Sequence, residues 1–271
     1  MKRISLFALA AMGVFMALPA SADKWDQANT PPPSTGANDS CATCTTNELV
    51  HGSSQVHDLD EANAGVAPDE DWYFLSLKPN TSYEILVDGT TPYINRSQPV
   101  NLTLVQADGT VDTTDYAVSS RGFSRSLRVG NSTTTVNDDR WVRVFAPDCG
   151  TTACFDIDEY HIGMRETTYY FPRFNNSGSQ TTVLIVQNPT DSGVSGNIYY
   201  WSPAGALLGT QTLSLNAKSA AVINTSSVVP GVGGSVTLSH NSTYGALSGK
   251  AVALEPATGF TFDTLMVPRV N

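Results

Sequence analysis

From Trp72 onward the chain is a succession of short alternating apolar runs, most of them closed by a turn signal. WYFLSL, SYEILVDG, NLTLVQADG, SLRVG, WVRVFAPD and YHIGMRE come first. TTYYFPRF, TTVLIVQNP, GNIYYWSP, LLGTQTLSL, SAAVINTSS, GSVTLSH, LSGKAVALEP and FTFDTLMVP follow. Alternation of period two puts successive side chains on opposite faces of a strand, and no window carries helical periodicity. Asp88-Gly89, Asp108-Gly109, Asn188-Pro189, Ser202-Pro203 and Gly233-Gly234 supply turn dipeptides. Such runs bury an apolar face only by packing sheet on sheet. With 41% hydrophobic residues the chain has the material for it. The expectation is an all-β protein of two consecutive antiparallel β-sandwiches, jelly-roll or immunoglobulin-like.

The ends of the chain read differently. Lys2 and Arg3, an uncharged apolar run over 4–18 and the small-residue site Ala20-Ser21-Ala22 form a secretory signal peptide, with cleavage expected after Ala22. The run is short of the ~20 residues that span a bilayer, and no later stretch replaces it. The mature chain is therefore expected outside the cytoplasm, secreted or periplasmic. Residues 23–40, with Pro31, Pro32 and Pro33 among small polar residues, read as a disordered leader. Residues 41–71 are polar, acidic and irregular, with a short helix conceivable over 58–65 behind Asp58.

Charge then divides the chain. Residues 23–171 hold nine Lys/Arg against 22 Asp/Glu, whereas residues 172–271 hold four against three. Such asymmetry is a domain signal. It places an acidic sandwich at 41–168 and a near-neutral one at 169–271. The acidic balance excludes nucleic acid as a partner, because phosphate binding needs a basic face.

Four cysteines outside the cytoplasm read as disulfides. Cys41 with Cys44 and Cys149 with Cys154 is the simplest pairing, and cross-pairing stays open. Metal and redox readings of the same residues lack their usual setting. The carboxylates cluster at Asp58, Asp60, Glu61, Asp69 and Asp71, and again at Asp138/Asp139 and Asp156/Asp158/Glu159. Turn carboxylates are the ordinary explanation. The 58–71 cluster is also the one place where calcium would find enough flexible oxygens, although Ala62 and Gly65 break the EF-hand spacing. No other cofactor is expected. In Tyr199-Tyr200-Trp201, Tyr199 and Trp201 share a face and form the candidate ligand platform, with the core as the competing place for these rings.

Catalytic motifs are missing. Ser248 lacks the first glycine of a G-x-S-x-G elbow, His51, His57, His161 and His240 form no H-E-x-x-H, and no phosphate-cradling glycine loop occurs. No catalytic residue is assigned.

Residues 69–165 resemble the bacterial pre-peptidase C-terminal (PPC) domain family. The carrying residues are Asp69-Glu70-Asp71-Trp72-Tyr73-Phe74, Leu77, Tyr83 to Val87, Leu102-Thr103-Leu104, Ser126-Leu127, Trp141-Val142-Arg143-Val144 and Tyr160-His161-Ile162. Leu77-Lys78-Pro79-Asn80 departs from the family's usual turn, and the segment holding Cys149 and Cys154 looks like an addition. The resemblance implies a non-catalytic jelly-roll-like sandwich with a role in secretion, folding or substrate attachment. Phe174-Asn175-Asn176, Thr182-Val183-Leu184 and Gln187-Asn188-Pro189 are similar to β-sandwich modules of unassigned function in secreted bacterial proteins.

The functional expectation is a secreted, non-enzymatic accessory or attachment protein. Its partner would be an extracellular protein or a polysaccharide, with a separate secreted peptidase among the candidates. The alternatives are a hydrolase using carboxylates of the N-terminal domain and a structural envelope component assembling through sheet edges.

Overall fold

The computed structural model describes residues 41–43, 45–57, 70–89, 101–106, 109–111, 119–121, 124–145 and 160–269. The first eight strands are β1 (Ser54–His57), β2 (Glu70–Leu77), β3 (Thr81–Gly89), β4 (Asn101–Val105), β5 (Ser119–Arg121), β6 (Ser124–Asn131), β7 (Asp138–Phe145) and β8 (Tyr160–Glu166). They form a five-stranded sheet in the order β1-β8-β3-β6-β5 and a three-stranded sheet β2-β7-β4, all antiparallel. Tyr73, Leu75 and Leu77 of β2 and Val142 and Val144 of β7 meet Ile85 and Val87 of β3, Leu127 of β6 and Ile162 of β8 in one core. Period two explains why: on β2 every second residue from Asp71 to Leu77 is buried, and its neighbours are not.

The second series is β9 (Tyr169–Asn175), β10 (Thr181–Gln187), β11 (Val194–Trp201), β12 (Leu207–Leu215), β13 (Ala220–Asn224), β14 (Gly233–His240), β15 (Ser248–Glu255), β16 (Phe260–Leu265) and β17 (Val267–Pro268). One sheet runs β13-β10-β15-β16, the other β12-β11-β14-β9-β17. Phe171, Phe174, Leu184, Val186, Ile198, Tyr200, Val236 and Leu238 fill a second, separate core between them. Only Thr167 and Thr168, both buried, separate β8 from β9. The protein is thus all-β, as the alternation requires.

Three local expectations need correction. Ser54–His57, read as irregular, pairs with β8 as β1. Four residues at an edge carry too little alternation to show. Asp88-Gly89 is no turn: β3 continues through it, with Asp88 opposite His161 and Gly89 opposite Tyr160. Gly233-Gly234 opens β14 instead of turning. A Cβ on Gly234 would lie 1.8 Å from the Trp201 carbonyl oxygen, and the β14–β9 register shifts between Gly234 and Val236. The glycine serves close strand approach at a bulge, the other use of glycine in sheets. Gly234→Ala is expected to cost about 2 kcal/mol through displaced β11–β14 pairing, read as a lower urea midpoint with unchanged slope. The helix considered at 58–65 lies outside the described residues.

Candidate functional site

Each sheet turns one face outward, and the four faces differ in chemistry. On the first sandwich's large sheet Glu84 lies between Arg128 and Arg165, and Asp88 faces His161. On the second sandwich's small sheet Val222, Ile185 and Leu265 share a row with Lys250, whose ammonium is 2.8 Å from Asp263. The second sandwich's large sheet presents hydroxyls and amides. The three-stranded sheet of the first sandwich presents aromatic rings.

Strand register builds that aromatic face. Because Tyr73 and Leu75 point into the core, Trp72 and Phe74 point out; because Val142 and Val144 point in, Trp141, Arg143 and Phe145 point out. Antiparallel pairing sets Trp72 opposite Arg143, Phe74 opposite Trp141 and Glu70 opposite Phe145. The Phe74 and Trp141 rings are 5.5 Å apart and tilted by 56°. The Arg143 guanidinium lies 4.5 Å from the Phe145 ring centre and 5.7 Å from that of Trp72, and reaches Glu70 at 3.4 Å. Cation–π contact and the ion pair hold it over the rings. All four rings are half-buried, with their remaining surface on the outer side. The edge of β2 is dressed by the segment before β1: Thr45 Oγ1 donates to the Trp72 carbonyl at 2.7 Å, Phe74 N to the Asn47 carbonyl at 2.8 Å and Leu49 N to the Phe74 carbonyl at 3.0 Å.

The sequence did not single out these rings. Trp72 and Phe74 alternate visibly, as do Trp141 and Phe145. Yet either set could have been the inward one, since Tyr73 is as aromatic as its neighbours. The 68 residues between Trp72 and Trp141 hide their adjacency.

The residues expected to bind fall elsewhere. Tyr199 and Trp201 do share the outer face of β11, with rings 6.3 Å apart, while Tyr200 is in the core. Tyr199 is only 3% exposed, however, and Trp201 is half-buried with its Nε1 donating to Thr237 Oγ1 at 2.9 Å. They are no free platform, which corrects that expectation; the second sandwich meets the first beside them. Burial alone pushes the Tyr200 hydroxyl up to about 12.

Of the calcium candidates, Asp58, Asp60, Glu61 and Asp69 lie outside the described residues. Asp71 does not belong to a loop: it starts the inward face of β2, fully buried, and accepts a hydrogen bond from the Tyr160 hydroxyl. Tyr73 donates to Tyr160 in turn at 2.6 Å, and the His57 ring packs edge-on to Tyr73 at 5.0 Å and along Tyr160 at 5.8 Å. Burial, then the Asp71 charge, holds the Tyr160 hydroxyl well above its usual range, so it remains a donor. Among the described residues no group of three or more His, Cys, Asp or Glu is placed to hold a metal ion. Cys41 is disulfide-bonded; Cys44, Cys149 and Cys154 lie outside the described residues. Asp139 accepts from Ser76 on the surface, and Asp138 pairs with Arg140 at 2.9 Å in a half-buried position. His51 Nδ1 accepts from the Glu166 amide at 2.8 Å.

The seam between the sandwiches carries the most committed carboxylate. Glu84, buried on β3, accepts from Ser126 Oγ at 2.6 Å and from the Tyr244 amide of the other sandwich at 2.8 Å. Beside it, Ser82 Oγ accepts from the His240 amide at 3.0 Å and from Thr167 Oγ1 at 2.8 Å. Arg269 meets Glu166 at 2.6 Å, and Arg165 lies over the Tyr244 ring at 5.5 Å.

No family model matches the chain, and no curated protein matches it. Among solved structures, the chain is similar to a crystal structure of "a putative secreted protein from Eubacterium rectale". The identity is 13%, over 80% of this chain and 74% of that one, with a TM-score of 0.25. A likeness of that size carries no argument about fold or function. Among the described residues no helix is long and apolar enough to cross a membrane.

Proposed function

We propose that the mature chain, released by cleavage after Ala22, is a secreted, non-catalytic attachment protein that holds a polysaccharide on the aromatic face of its first sandwich. The carrying observation is the convergence of Trp72, Phe74, Trp141 and Phe145 on one outward sheet face with Arg143 among them. Flat rings on a sheet offer the C–H faces of sugar rings a rigid surface at small entropic cost, because aromatic side chains have few rotors. Arg143 is already paired with Glu70, and Asp139 shares the outward row of β7, so the face does not select an anionic polymer. The resemblance of residues 69–165 to PPC domains points the same way, since attachment to substrate is among that family's roles. In the competing hydrolase reading a carboxylate must be free to take part; at the seam Glu84 is occupied at both oxygens and Glu166 is paired with Arg269.

Retention of the mature protein on a panel of insoluble polysaccharides tests the reading. Trp72→Ala and Trp141→Ala are each expected to weaken retention about five- to ten-fold, ~1 kcal/mol per lost ring, with an unchanged β-sheet circular dichroism spectrum. Capture of a protein but no polysaccharide from the producer's culture, or retention indifferent to both substitutions, rejects it.

A further inference from the structure

The two sandwiches meet along a cleft of about 640 Å³, well inside the range of about 300–1,000 Å³ typical of small-ligand sites. Its floor is the outward face of β11, β12 and β14. Register places Asn197 between Thr212 of β12 and Ser239 of β14, and Ser195 beside Ser214. Its wall is the end of β6, from which Arg128 projects.

Three observations say what this cleft would take. First, the side chains of Asn197, Thr212, Ser214 and Ser239 have no protein hydrogen-bond partner among the described residues. Elsewhere in the same sandwich amides are spent on the fold: Asn188 Nδ2 donates to the Ser192 and Asn216 carbonyls at 2.8 and 2.9 Å, and Asn176 Nδ2 to the Val229 carbonyl at 2.9 Å. Second, among the described residues the lining contains no carboxylate and one permanent cation, Arg128, which sits opposite Glu84 in the β3–β6 ladder. The described walls therefore hold no carboxylate to draw a cation, and Arg128 shares its strand pairing with a carboxylate. Third, the cleft is held open by fixed hydrogen bonds, Ser82 to the His240 amide and Glu84 to the Tyr244 amide, so a ligand need not pay for its assembly.

We infer that this interdomain cleft is a second binding site, for an uncharged, hydroxyl-rich ligand of the class of a short neutral oligosaccharide. Hydroxyls and amides that both donate and accept match sugar hydroxyls, which do the same. The sugar class rests on the attachment reading; the site itself does not.

Cellopentaose, maltopentaose and chitopentaose, with an oligogalacturonate as acidic control, are titrated into the mature protein by calorimetry. One neutral pentaose is expected to bind saturably. Asn197→Ala with Thr212→Val is expected to weaken that binding at least ten-fold, while Trp72→Ala with Trp141→Ala leaves it unchanged. Ser214→Ala, at an exposed position, gives a smaller loss in the same direction should the double variant fail to fold. Three results overturn the site: no neutral pentaose bound at about 10 mM, binding of the acidic oligomer alone, or binding indifferent to the cleft substitutions. Failure of the cleft leaves polysaccharide retention through the aromatic face intact, and failure of the aromatic face leaves pentaose binding intact, so the two are told apart.

Discussion

Replacing Glu84 by alanine is expected to cost about 3 kcal/mol and to split one thermal transition into two. The carboxylate is buried and accepts from two donors, the Ser126 hydroxyl inside its own sandwich and the Tyr244 amide of the other. Alanine strands both donors, the Ser126 hydroxyl in a buried position and the Tyr244 amide in a part-buried one, and an unsatisfied buried donor costs ~1–3 kcal/mol, more when its partner was charged. The loss falls on the seam and leaves each core whole, because Glu84 belongs to neither apolar cluster. Calorimetry of Glu84→Ala should therefore show the two sandwiches melting apart. Glu84→Gln, which keeps an acceptor for one donor, should show a smaller loss and one transition. A single transition at the wild-type midpoint for the alanine variant contradicts the role given to this residue.

Acid is expected to weaken the same seam. The His240 imidazole is held down to about 4, chiefly by burial, with the Arg128 charge adding to it and a Thr167 backbone hydrogen bond opposing. Its Nδ1 accepts from the Ser242 amide at 3.1 Å, an acceptor that protonation would remove, and its ring lies along Tyr169 at 5.4 Å. A group whose folded value lies below its unfolded one favours folding in the neutral form. The contribution is complete above the unfolded value of 6.5 and is lost as the pH falls from there towards about 4. At 1.36 kcal/mol per unit, that window is worth about 3 kcal/mol. Urea midpoints measured from pH 7 to pH 4 should fall accordingly, and His240→Gln should flatten this part of the slope. A wild-type midpoint flat between pH 6.5 and pH 4 contradicts the burial of a neutral imidazole here.

Much of the fold was legible because alternation is a local property. Tyr73, Leu75 and Leu77 had to share a face whatever they packed on, and so did Leu184 and Val186. The exceptions are places where one residue does two jobs. Glycine marks both turns and close strand approach, so Gly234 could not be told from a turn residue until Trp201 was seen against it. Asp71 looked like part of an acidic loop, although the register of β2 turns it inward to Tyr160.

The sites were less legible, for a different reason. Tyr199 and Trp201 were correctly placed on one face, but the sequence does not say that the first sandwich abuts that face. Trp72 and Trp141 each sit in an alternating run, and only the pairing of β2 with β7 joins them.

By itself, then, the sequence determined the all-β class, the two strand series and the alternation of each strand, since period two and turn chemistry act within a few residues. The tertiary structure decided which aromatic rings meet on an outward face, which carboxylates are spent on the fold, and that the sandwiches enclose a hydroxyl-lined cleft. Those features arise from contacts between residues as far apart as Ser82 and His240, and nothing in the local backbone preference of either residue encodes the other.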